Sequence, residues 1–244
     1  MISVCMAAYN GERWIETQIC SVLAQLGPGD ELVIVDDAST DRTPDKVRGI
    51  EDHRIRMVHN ETNIGVDESF QRALSLARGT VLFLCDQDDI WYPDKVERVM
   101  HAFEANPEVT LVLSDARIID GDDQVISDSY FDARGVFIPG VAANIMKCKF
   151  LGCAMAVKSC MRDYFLPFPD RIPGHDMWIG VVNEYYGKSL FIPAPLIGYR
   201  RHGRNASPAH RQNLGKMLVW RWQLIDGLVR LILRNAVGRS KRSR

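Results

Sequence analysis

The stretch Thr80-Val81-Leu82-Phe83-Leu84-Cys85-Asp86-Gln87-Asp88-Asp89 runs from an unbroken apolar segment straight into three carboxylates. An apolar run without alternation predicts a strand buried on both faces, as in a parallel sheet covered by helices. The same grammar repeats toward the N-terminus. Ile2–Ala8 ends at Tyr9-Asn10, Glu31–Val35 ends at Asp36-Asp37, and Arg54–His59 ends at Asn60. Ile15, Ile19, Val22, Leu23 and Leu26 recur at helical spacing until Gly27-Pro28-Gly29 stops them. Val66–Ala77 is a second helix, closed by Gly79; Ser39, Thr40 or Asp41 can cap a short one, and Pro93 suits the first turn of another. The expected fold is α/β, with a mostly parallel central sheet and helices on both faces. Ligands of such sheets bind beyond the carboxyl ends of the strands. Four polar, mainly acidic strand ends therefore converge on one rim.

The second half is less regular. Val109–Asp115 predicts a strand, Arg117–Ser127 a hairpin turning at Asp120-Gly121-Asp122-Asp123, and Phe150–Val157 another strand. His175–Tyr186 predicts a helix, Leu190–Arg201 an edge or irregular strand because of Pro193 and Pro195, and Leu214–Val237 a long final helix. The expected organisation is one domain over residues 1–210, with a regular half at 1–115 and a less regular half at 116–210. Residues 211–244 form a helix and basic tail.

Charge is unevenly spread. Residues 1–127 hold 24 acidic and 11 basic side chains, whereas residues 128–244 hold 7 and 19, so a net charge of −1 conceals two opposed halves. With 46% hydrophobic and 25% charged residues the chain reads as globular, not disordered. No stretch approaches the roughly 20 apolar residues of a spanning helix. The start, MISVCMAAYNGERW, reads as a strand rather than a signal peptide, so the expected location is the cytoplasm. The six cysteines include no C-x-x-C pair, which excludes a zinc ribbon and a thioredoxin-type site and leaves buried free thiols. The sequons at Asn60 and Asn205 read as chance. No G-x-G-x-x-G or G-x-x-x-x-G-K-[ST] follows a strand, which sets aside dehydrogenases and P-loop kinases.

Asp86, Asp88 and Asp89 would repel one another if unpaired. A hard cation such as Mg²⁺ or Mn²⁺, shared with a diphosphate, relieves that repulsion; a solvated acidic turn is the bland alternative. Three segments occur in order: Val4–Glu12 with Ala7, Tyr9 and Asn10, Val33–Asp41 with Asp36 and Asp37, and Asp86-Gln87-Asp88-Asp89. Together they resemble the family 2 glycosyltransferases, inverting enzymes of the GT-A fold that use nucleotide sugars.

The resemblance implies a nucleotide-sugar pocket formed by Ala7, Tyr9, Asn10, Glu12, Asp36, Asp37, Asn63, Gly65, Asp86, Gln87 and Asp88. Tyr9 would pack on the base and Asp37 accept its hydrogen bond, while Asp36 shares that work or caps Ser39-Thr40-Asp41. Asn63 and Gly65 would border the nucleotide. Asp88, with Asp89 as near alternative, would hold Mg²⁺ or Mn²⁺ against the diphosphate, and His202 would reach the same metal. Tyr199-Arg200-Arg201-His202-Gly203-Arg204 would clamp the diphosphate through Arg200, Arg201 and Arg204. In His175-Asp176-Met177-Trp178 the resemblance puts the general base on Asp176. The family usually has Glu where this chain has His175, which reads as a core or surface histidine. Gly152 would lie near the acceptor. The His175–Trp178 and Tyr199–Asn205 segments look like those of bacterial polysaccharide rhamnosyltransferases. The implied donor is UDP- or dTDP-linked, and the implied acceptor is a saccharide or lipid-linked hydroxyl in O-antigen, capsule or exopolysaccharide synthesis.

Leu214, Leu218, Ile225, Leu228, Val229, Ile232 and Ala236 share a helical face near Trp220 and Trp222, and no acid follows Asp226. The segment 214–244 thus reads either as a peripheral contact to the inner face of the plasma membrane or as a helix packed on its own domain or a second subunit. It carries no nucleic-acid motif. Two other functions remain open at this level: a sugar-1-phosphate nucleotidyltransferase, disfavoured because Tyr9-Asn10-Gly11-Glu12 replaces a basic Gly-rich loop, and an inactive glycosyltransferase-like partner.

Overall fold

The computed structural model describes residues 1–203 and 213–242. Among the described residues nine strands form one sheet: β1 (Ile2–Ala8), β2 (Glu31–Asp36), β3 (Ile55–His59), β4 (Val81–Asp86), β5 (Ile90–Trp91), β6 (Leu111–Ile119), β7 (Val125–Ser127), β8 (Met155–Lys158) and β9 (Ser189–Arg200). The order is β3-β2-β1-β4-β8-β6-β9-β5, with β7 hung on β6. The first four are parallel, β8 runs against both neighbours, and β6 and β9 are again parallel.

The helices are α1 (Ile15–Leu23), α2 (Thr43–Arg48), α3 (Val66–Leu76), α4 (Lys95–Ala105), α5 (Val141–Met146), α6 (Arg162–Phe165), α7 (His175–Tyr186) and α8 (Leu214–Arg242). The apolar strands explain the core: Val4, Ile34, Leu82, Phe83 and Leu84 are fully buried. Register sets the rim. Ala8 pairs with Asp36 and Ala7 pairs with Asp86, so the chain leaves β1, β2 and β4 at one level.

The second half departs from expectation in two places. Phe150–Val157 is not one strand: Gly152–Ala154 forms a 3₁₀ turn and β8 begins at Met155. The turn follows from packing, because a Cβ on Gly152 would lie 3.0 Å from His175 Nε2. β9 is irregular, as its prolines predict, but it is not an edge strand, since the short β5 pairs with Ile197 and Gly198 on its far side. Pro193 falls where the β6–β9 register slips between Ser114 and Asp115, so no ladder bond is asked of it. The hairpin of β6 and β7 is present, turning at Asp120–Asp123. Of the cysteines, Cys5, Cys85 and Cys153 are buried and all six are free, but Cys20 and Cys160 are exposed.

α8 carries two apolar stripes. Leu224, Leu228 and Leu231 are buried, and Gly227 abuts Trp178 of α7 so closely that a Cβ would lie 2.9 Å from the indole. Leu214, Leu218, Trp222, Ile225, Val229 and Leu233, spaced by three or four residues, are exposed. The helix therefore does pack on its own domain and still leaves an open face. Among the described residues no helix is long and apolar enough to cross a membrane.

Candidate active site

The rim is knitted by its own side chains. Gln87 bonds Tyr9 in both directions, accepting from Tyr9 N–H at 3.0 Å and donating to Tyr9 C=O at 2.9 Å. Gly11 makes this possible, since a Cβ there would lie 2.1 Å from Gln87 Oε1. Asn10 N–H donates to Ser39 Oγ, Asn10 Oδ1 accepts from Thr40 N–H, and Glu12 exchanges bonds with Asp41 and Arg42. Asn10 and Glu12 thus tie the loop after β1 to the loop after β2. Tyr9 is half exposed beside them and Ala7 is partly covered.

Asp36 and Asp37 divide their labour. Asp36 is buried, accepts the Ser39 amide at 3.2 Å, and faces His59 Nδ1 at 3.0 Å. Asp37 anchors the next loop: Asn60 Nδ2 donates to it at 2.7 Å, Ile64 N–H at 2.9 Å and Gly65 N–H at 2.8 Å. Gly65 turns the chain into α3 with φ +95°, a conformation glycine favours. Asn63 stands exposed on that loop.

The acidic cluster has an outer and an inner part. Asp88 faces outward to His202, Oδ2 to Nε2 at 2.7 Å, and the His202 ring stacks on Trp14 at 4.2 Å. Asp89 turns inward, 1% exposed; Oδ1 accepts the Arg200 amide, while Oδ2 is buried with no partner among the described residues. Asp86, Asp89 and Cys153 bring one ligand atom each within 4.8 Å of one another. Burial, then the Asp88 charge, pushes Asp86 up to about 6 and Asp89 well above the usual carboxylate range. The compensating charge is Lys95, which is fully buried. Its Nζ donates to Cys153 C=O at 2.6 Å and lies 4.3 Å from the Trp91 ring centre. Desolvation draws Lys95 down to about 8.

The three expected clamp arginines separate. Arg200 is 1% exposed: it donates to Asp88 C=O and Asp120 C=O and pairs with Asp123 at 2.5 Å. It ties the β6–β7 turn to the acidic segment. Arg201 donates to Tyr199 Oη, and Arg204 lies outside the described residues. A cleft of about 740 Å³ beside Asp88 is lined by Asn10, Glu12, Arg13, Trp14, Arg42, Lys46 and His202.

α7 delivers its first residues to the opposite wall. Asp176 sits in the first turn, and a Cβ on Gly152 would lie 3.4 Å from its own Cβ. Burial holds Asp176 above its ordinary value, and neighbouring His175 offsets part of that rise. Asp86 feels the charges of both. His175 is a buried histidine bonded to Asp67 of α3. Asp67, Lys95, Trp14 and Gly11 escape sequence reading. A lysine two residues past Pro93 and a tryptophan before α1 look like ordinary helix entries.

A sheet whose strand ends carry this acidic rim, faced by a helix presenting a carboxylate, defines a sugar-transfer scaffold. The model of Glycosyl transferase family 2 matches residues 3–160, and the chain belongs to that family. An uncharacterised glycosyltransferase of Haemophilus influenzae is 31% identical over 228 residues, 87% of this chain and 70% of its own. The Escherichia coli protein WfgD, named a UDP-Glc:alpha-D-GlcNAc-diphosphoundecaprenol beta-1,3-glucosyltransferase, is 26% identical over 188 residues, covering 75% of this chain and 70% of its own. Other relatives are longer: the chain spans 40% of a Nostoc glycosyltransferase and 40% of Bacillus subtilis TuaG, a putative teichuronic acid biosynthesis glycosyltransferase. S. aureus TarS 1-349 in complex with UDP-GlcNAc superposes with TM-score 0.68 and 16% identity, over 90% of this chain and 64% of that one. A Pyrobaculum calidifontis mannosyltransferase in complex with GDP-Man and Mn2+ gives 0.63 and 21%, over 96% and 64%. The fold is GT-A.

Proposed function

We propose that this chain transfers a hexose, with inversion, from a UDP- or dTDP-linked donor to a hydroxyl of a saccharide or lipid-linked acceptor in cell-surface polysaccharide synthesis. The observation carrying this reading is that Asp86, from the end of β4, and Asp176, from the first turn of α7, face one site closely enough to feel each other's charge, with Gly152 packed against Asp176. The UDP-GlcNAc of TarS and the UDP-Glc in the name of WfgD support the donor class, and TuaG supports the polysaccharide setting. Residues 1–115 hold the donor and residues 116–210 present the acceptor.

Asp176 takes the proton of the acceptor hydroxyl as its oxygen attacks C1 from the α7 side. The nucleoside diphosphate leaves on the other side, toward Asp88 and His202. Mg²⁺ or Mn²⁺ fits this side: Asp88 and His202 lie paired and mostly covered, and Asp89 Oδ2 is a buried oxygen with no partner among the described residues. Bound by Asp88, Asp89 and His202, such an ion would neutralise charge on the leaving diphosphate. Tyr9 and Asn63 border the base, and Asp37 shapes the loop that carries Asn63. Arg200 braces Asp88, which leaves Arg201 as the described arginine of the diphosphate clamp.

α8 and its basic end sit at the inner face of an anionic membrane. Its open stripe, Leu214 to Leu233, is flanked by Lys216, Arg230 and Arg234. Lipid-linked acceptors would be met there. Asp176→Asn should abolish transfer while keeping donor affinity, and Asp88→Ala should lose both. Full activity in Asp176→Asn would overturn the assignment of the base.

A further inference from the structure

We propose that His175 is a positioning residue: clamped by Asp67, it is a fixed positive charge that keeps the buried Asp176 carboxylate ionised and able to take a proton. The inference rests on Asp176 being the base.

The clamp is geometric. Asp67 Oδ1, in the first turn of α3, accepts both the His175 backbone N–H at 2.7 Å and Nδ1 at 2.9 Å. Phe70, one turn further along α3, stacks on the imidazole with centroids 4.0 Å apart and planes at 22°. Two hydrogen bonds and a stack leave the ring one orientation, with a proton on Nδ1. Nε2 points the other way, buried and without a partner among the described residues, toward the space that Gly152 leaves open.

The charges around this ring favour the cation. Asp67 faces it from α3, Asp176 from its own helix and Asp86 from the end of β4. Tyr130 and Cys148 also face Asp176, and burial raises both, so they stay neutral. Three carboxylates thus surround one imidazole. Burial opposes charge on His175, but the Asp67 hydrogen bond and then the Asp176 field outweigh it, and His175 ends above its ordinary value. Asp67 is held low by the same bond against its own desolvation. For Asp176 the balance is reversed: burial is the largest influence and favours the neutral acid, and His175 is the first force against it. A buried carboxylate without a counter-charge takes up a proton instead of staying ionised. A protonated Asp176 cannot act as a base.

The test begins without substrate. Imidazole carbon shifts of the whole protein, followed by NMR from pH 5 to 9 and assigned with His175→Gln, should show His175 titrating above the ordinary imidazole value. Asp67→Asn should bring it down. The side-chain carboxyl carbon of Asp176 should titrate about one unit higher in His175→Gln than in the unaltered protein. A His175 that is neutral across this range, or an Asp176 indifferent to His175→Gln, overturns the proposal.

The second readout is release of UDP from UDP-hexoses with Mn²⁺. His175→Gln should slow it increasingly toward acid pH, by up to about tenfold, and recover by pH 9, since one pKa unit changes the ionised base at most tenfold. A uniform loss at every pH marks a structural residue and refutes the proposal. Absence of any UDP release from the unaltered protein counts instead against the transfer reading, while the shifts still decide the charge of His175.

Discussion

Asp37 is placed to do two different jobs, and its substitution separates them. Its carboxylate accepts from Asn60 Nδ2, Ile64 N–H and Gly65 N–H while being 3% exposed. Hydrogen bonds to a charged group contribute about 1.5–3 kcal/mol each. Asn60 Nδ2 keeps Ser69 Oγ at 3.2 Å, and Ile64 is exposed enough for water to replace part of the loss. Asp37→Ala should therefore cost about 3 kcal/mol in all. For a chain of this size each kcal/mol moves Tm by about 2–4 °C, so the ligand-free protein should melt about 6–12 °C lower. Asp37→Asn keeps one acceptor oxygen but turns an amide NH₂ toward Gly65 N–H, and should cost about half as much. Scanning calorimetry without ligand measures both, and UDP titration then reports the nucleotide pocket. A ligand-free Tm within about 2 °C of the unaltered protein in Asp37→Ala would refute the anchoring role. Asp37 would then be a ligand contact alone.

Mn²⁺ affinity should fall about tenfold per pH unit on acidification, because cation ligation needs ionised carboxylates and burial holds the ligand Asp89 well above the usual carboxylate range. For stability the sign is opposite. Asp86 is raised above its unfolded value, so its contribution is present at low pH and is lost as pH rises through about 6, where added Mn²⁺ should raise Tm most. Lys95→Met strips the buried acids of their counter-cation and should cost about 3–5 kcal/mol by urea unfolding, with partial rescue below pH 6. Trp222→Glu, on the open stripe of α8, should abolish co-sedimentation with anionic phosphatidylglycerol vesicles without changing Tm by more than about 2 °C.

The parallel half was readable because its strands are buried on both faces, which writes them as unbroken apolar runs ending in polar residues. Ile2–Ala8 and His175–Tyr186 have the bounds that pattern and spacing suggest. The acidic strand ends converge because Ala7, Ala8, Asp36 and Asp86 share a register, which sequence order alone implies once the strands are parallel. Tertiary pairings were not readable. Arg200 looks like a free cation in a basic run, but its partners lie 80 and 112 residues away. The pairing of Asp67 with His175 spans 108 residues, and neither residue type announces the other. Gly152–Ala154 looks like strand until α7 packs against it.

Titration of the unaltered protein with UDP-glucose, UDP-GlcNAc and dTDP-rhamnose, each with and without Mn²⁺, tests the central claim most directly. A donor in this set should bind with Mn²⁺ at least about tenfold tighter than without it, and Asp88→Ala should erase the difference. Equal binding with and without Mn²⁺, or a difference that survives Asp88→Ala, would contradict the site built here on the acidic rim.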